Sequence, residues 1–224
     1  MIVSAIDPVT RESMSDSAVA TCLGTLVAGA RRVEQQGLPT VLSDLGVSTD
    51  PAALQIAAGL RDQAERTIAG QGLASRFGDL ALDATATTAF AMAARSSDSA
   101  GLIELPLPVV ARNFATFGRE GALHETAARF IGYDLDSVFR YFVARDLPDF
   151  IGGRGLPTVA EASQLEDAIA AHCRNAWRRL DLSAFEQDLA ELIDLPPEQQ
   201  AQALSPALAV GIGRGLDVIG AGVV

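Results

Sequence analysis

Apolar residues recur every three or four positions along most of this chain, and the stretches that break the rhythm are short. After Asp16, residues Val19, Leu23, Leu26, Val27 and Ala30 fall on one face of a helix predicted over about 16–36. Gly37 and Pro39 mark its end, and VLSDLG reads as a short turn of chain. Pro51, at a first helical position behind an Asp50 cap, opens a second helix that carries Leu54, Ala58, Leu60, Ala64 and Ile68 to about position 70. A third helix, rich in alanine and threonine, is predicted over about 79–95. SSDSAG at 96–101 is the strongest loop signal. It is a candidate sub-boundary in what otherwise reads as one domain over 1–224. LIELPLP follows as extended chain, because proline disfavours helix in the residue before it.

The second half holds the bulky side chains. Phe114, Phe117, Phe130, Tyr133, Phe139, Tyr141, Phe142 and Phe150 are eight of the twelve aromatic residues. Helices are predicted at about 106–117, 120–131 and 134–147. Leu135, Val138, Phe139, Phe142 and Val143 form a wide apolar stripe on the last, with Asp136 and Arg140 paired at its flank. Such a stripe serves as core or, exposed, as a groove for a partner, which makes Phe139, Phe142 and Phe150 candidate contact residues.

Residues 149–169, DFIGGRGLPTVAEASQLEDAI, place a glycine-rich turn before a helix, the arrangement that many phosphate sites use. The glycines match neither GxxxxGK[ST] nor GxGxxG. Thr158 and Glu161 instead form a T-x-x-E capping box, which takes up from within the chain the N–H groups an anion needs. The stretch therefore reads as a corner, with Arg154 as the charge partner in the anion-binding alternative. The helix it starts, about 158–180, ends in CRNAWRRL. There Arg174, Arg178 and Arg179 complement the negative helix end, or, beside Trp177, hold an anion. Residues 181–195 read as another amphipathic helix stopped by Pro196 and Pro197, and PEQQAQAL as a brief helical turn.

The tail after Pro206 carries only Arg214 and Asp217 as charges. Two central charges and five glycines count against a membrane span. Gly211 and Gly215, one turn apart, let another helix approach closely, so the tail is expected to close the fold or dock on a partner subunit. The pattern as a whole predicts an all-α fold: a single multi-helix domain of about eight helices with an irregular N-terminal arm.

Composition narrows the function. Thirty-nine alanines favour closely packed helices, and the seventeen basic residues are all arginine, as a GC-rich bacterial genome would encode. A net charge of −11 repels nucleic-acid phosphates and anionic lipid. The N-terminal stretch does not read as a secretory signal, and Cys22 and Cys173 are expected to be free, buried thiols of a reducing cytoplasm.

No catalytic signature emerges. His124–Glu125 does not extend to HExxH, because position 128 is alanine. His172 and Cys173 are neighbours that point apart, and GxSxG and DxDxDG are both missing. Asp134, Asp136, Asp146 and Asp149 read as caps and solvated surface. Neither a metal nor a cofactor is expected. The leading reading is a non-enzymatic helical interaction protein that binds a protein partner or itself, with Phe139, Phe142, Phe150, Gly211 and Gly215 as contact candidates. The alternative is a small helical enzyme or ligand-binding protein, whose site would draw on His124, Glu125, Arg140, Tyr141, Arg154 and His172.

Overall fold

The computed structural model describes residues 12–13, 15–94, 105–146, 158–192 and 195–221. They form an all-α fold, with nine α-helices among the described residues: α1 (Ser17–Gln36), α2 (Leu38–Leu45), α3 (Ala52–Gln71), α4 (Arg76–Ala94), α5 (Leu107–Gly118), α6 (Leu123–Asp146), α7 (Val159–Ala176), α8 (Glu186–Leu192) and α9 (Pro197–Ala221). Two 3₁₀ turns, Trp177–Arg179 and Ser183–Phe185, join α7 to α8. Most of the N-terminal arm (residues 1–11 and 14), the loop at 96–101 and the glycine turn at 149–157 lie outside the described residues.

Two helices organise the rest. α1 packs against α2, α3, α4, α5, α6 and α9. The sequence predicts one apolar face for it, yet residues 18–24 are buried without a break. Its alanines and glycines make this feasible, since neighbours can close on every side of a helix that carries few large groups. Asp16 starts it by accepting the Ala18 N–H at 2.8 Å. α6, the second hub, meets α1, α4, α5, α7, α8 and α9. Phe130, Phe139, Leu135, Val138 and Ile131 are buried along it. One cluster of buried side chains runs from Ala18 to Leu216 and includes residues from all nine helices.

The structure corrects several sequence-derived elements. VLSDLG is mostly helical: Pro39 opens α2 instead of only closing α1, and Gly46, at φ 72°, ends it in the left-handed region. Asp50 does not cap α3; Pro51 holds that position, and no side chain caps the helix. The predicted break between 131 and 134 is absent, and α6 runs through it. Gly132 is there for closeness, because a Cβ on it would lie 3.0 Å from the Trp177 Cβ. Pro206 does not divide the tail from the turn before it, but lies inside α9. The helix keeps its course because Leu204, Leu208, Ile212 and Leu216 are buried against the core, and packing overrides local propensity.

Candidate functional site

Four of the five sequence-derived contact residues are spent inside the fold. Phe139 and Phe142 are buried. A Cβ on Gly211 would strike Ile131, and one on Gly215 would come within 2.7 Å of Leu135, so the small face of α9 is filled by α6 of the same chain. These four residues are corrected from partner-facing to core. Phe150 and Arg154 lie outside the described residues.

The five ligand-site candidates among the described residues do not converge. His124 is the second residue of α6 and Tyr141 lies seventeen residues on, about 25 Å along the helix axis. Glu125 is exposed beside His124. His172, in α7, is half-buried, and its Nε2 has no hydrogen-bond partner among the described residues. No three metal-ligating side chains come together among the described residues.

His124 has a partner that sequence reading missed. The Glu186 carboxylate, from the first residue of α8, accepts the backbone N–H groups of Gly121 at 2.7 Å, Leu123 at 3.1 Å and His124 at 2.8 Å. It also lies 2.7 Å from His124 Nδ1. Burial pushes this carboxyl up, but the bonds from the His124 N–H and ring, Leu123 and Gly121 outweigh it and hold it below the ordinary glutamate value. Glu186 therefore caps α6 from 62 to 65 residues away in sequence. No local pattern marks such a contact.

The junction of α6, α7 and α9 is also tightly built. The Arg129 guanidinium lies 3.9 Å from the Trp177 ring centroid and 4.8 Å from that of Phe117. Leu180 and Leu182 sit over Gly215 and Gly211, and Arg214 donates to the Asp181 carbonyl. Thus the WRRL stretch serves mainly as a wedge between helices. The Thr158–Glu161 capping box is present, with the Glu161 N–H donated to Thr158 Oγ1 at 3.3 Å and the Thr158 N–H to Glu161 Oε2 at 3.1 Å.

Asp134 also departs from its sequence reading. It is neither a cap nor solvated, but 1% exposed in mid-helix. Read as one continuous helix, the spacing Phe130, Asp134, Val138 would have placed it on the apolar face. Cys22 faces the same region from α1. Burial pushes its thiol up to about 12, against a hydrogen bond with the Thr85 side chain that lowers it.

One face of the molecule presents the residue types of a contact surface. Tyr141 is 46% exposed, its ring edge-on to Phe142 at 5.1 Å and 84°. Arg145 and Arg76 lie 4.9 and 5.7 Å from the Phe142 ring centroid, and Arg76 also covers Phe77 at 4.8 Å. Arg76 pairs with Glu12 at 3.0 Å, and Arg140 Nε with Asp136 at 2.9 Å, both at half-exposed guanidinium groups. By contrast, a hollow lined by Gly24, Val27, Leu189, Leu192, Gln200 and Leu204 measures about 10 Å³, room for one water. No described helix is long and apolar enough to cross a membrane. No protein-family model, curated protein or solved structure matches this chain.

Proposed function

We propose that this chain is a non-enzymatic helical interaction protein, an adaptor, regulator or assembly subunit of the bacterial cytoplasm. The observation that carries the reading is the exposed Tyr141 ring, with Arg145 and Arg76 reaching the neighbouring Phe142. Tyrosine and arginine are the side chains that most often dominate binding at protein interfaces, because each combines a large apolar area with directed polar groups. The buried Phe142 fixes this edge, so little side-chain entropy is lost when a partner lands on it. Arg76 and Arg140 are already paired with Glu12 and Asp136, so this edge offers a protein partner ring and guanidinium surface for stacking and hydrogen bonds. The location is supported by the buried thiol of Cys22 and by an alanine-rich, lysine-free composition.

Immobilised protein, challenged with lysate of the native host, should retain a partner that is then identified, purified and titrated. Tyr141→Ala should weaken that complex about 10-fold or more, with an unchanged melting temperature. Equal affinity for the two chains, or retention of nothing, would overturn the reading. Light scattering of both chains separates a second copy from a different partner, since self-association through this face would also be lost in Tyr141→Ala.

A further inference from the structure

Asp134 occupies a place where an ionised group is very costly. It lies between the buried Phe130 and Val138 on one stripe of α6, and neither of its carboxyl oxygens has a hydrogen-bond partner among the described residues. A neutral carboxylic acid in such a place costs far less than a carboxylate, which loses its hydration with nothing in return. The groups facing it make ionisation harder still. Asp16, the cap of α1, sets a second carboxylate against it. Cys22, from α1, contributes a neutral thiol, itself influenced by Arg61 of α3. The Thr85 hydroxyl of α4 donates to the Ala81 carbonyl and does not titrate. On its own helix, Asp136 and Arg140 pair with each other. No charged group of α4, α5, α7, α8 or α9 acts on Asp134 among the described residues. Burial, with Asp16 second, pushes its carboxyl up to about 7.

We propose that Asp134 is a proton-held latch between α6 and α1. With the proton on, the acid is a neutral core group and the two helices close over it. When the proton leaves, the carboxylate draws in water and is repelled by the Asp16 cap, so the α6–α1 contact loosens. The proton goes to solvent and no bond other than O–H is broken. The linkage sign follows: the folded-state value lies above the unfolded one, so the contribution to stability is complete at low pH. It is lost as pH rises through about 7.

Carboxyl carbon NMR of aspartate-labelled protein tests this directly. The Asp134 signal should titrate near pH 7, where an ordinary aspartate titrates near about 4. Asp16→Asn, which keeps a good cap, should lower that midpoint. Between pH 5 and pH 9 the wild-type melting temperature should fall about 5 °C or more relative to that of Asp134→Asn. Amide exchange in α1 and α6 should quicken over the same range in the wild type alone. An Asp134 signal that titrates below pH 5, or melting curves that run parallel in the two chains, would overturn the proposal. The NMR titration decides the matter even where Asp134→Asn fails to fold.

Discussion

Around α1, glycines let neighbouring helices approach closely. Gly118 of α5 lies against the Ala30 carbonyl, Gly29 sits beneath Leu60, and Gly24 faces Leu204 and Gln200. Buried hydroxyls there bond to their own helices, as Thr85 does to Ala81 and Thr88 to Ala84. Around α6, large side chains do the filling: Phe130, Phe139, Ile131 and Leu135, with Trp177 over Gly132. There too lie the residues with unusual chemistry, namely Arg129 between two rings, His124 tied to Glu186, and Asp134. The first region contributes close fit and little else. Both reach into the two halves of the chain, but the second holds the polar groups that respond to solvent conditions.

The largest test of this contrast removes residues 206–224. The loss takes Leu208, Ile212 and Leu216 away from the α6 region, exposing apolar area worth on the order of 5 kcal/mol. The shortened chain should lose helical circular dichroism well below the melting temperature of the full chain, or aggregate. An unchanged melt would mean that α9 is an appendage.

A smaller effect probes the close fit around α1. Gly118→Ala should destabilise by about 3 kcal/mol, because the new methyl meets backbone, which cannot rotate away. Gly70→Ala, at an exposed site with open space, should instead stabilise by about 0.5 kcal/mol. Chemical denaturation of both variants checks that the sign follows the contact and not the residue type.

An effect smaller than that of Gly118→Ala concerns the tie at the start of α6. Glu186→Gln should cost about 1–2 kcal/mol at neutral pH, through weaker acceptance of the Gly121, Leu123 and His124 N–H groups. Its carboxyl is held low in the folded state, so this contribution is complete above the ordinary glutamate value and fades as pH falls through the folded one. Urea titrations at neutral and acid pH should show the gap between wild type and variant closing on the acid side. Asp134 has the opposite sign, so the two carboxylates bracket the conditions under which the α6 region is tightest.

Much of the helical layout was legible in the sequence, because local signals and packing agree there. α1 and α4 fall within a few residues of their predicted bounds, and Thr158 and Glu161 cap α7 as their spacing implies. The misreadings share a cause. Gly132 and Pro206 are helix breakers by propensity, but each stands where a neighbouring helix compensates, and that neighbour is distant in sequence. Splitting α6 at Gly132 also hid Asp134, since a residue taken as a cap is not sought in a core. Glu186 was illegible for a simpler reason: its partners lie more than sixty residues earlier.

The lone indole of the molecule, Trp177, is placed where α6, α7 and the turn before α8 come together, with a guanidinium stacked on its face. Its fluorescence is therefore a site-specific gauge. Emission will follow the separation of these elements, while the far-ultraviolet signal averages every helix. If the two records diverge during unfolding, the region around Trp177 opens in a step of its own.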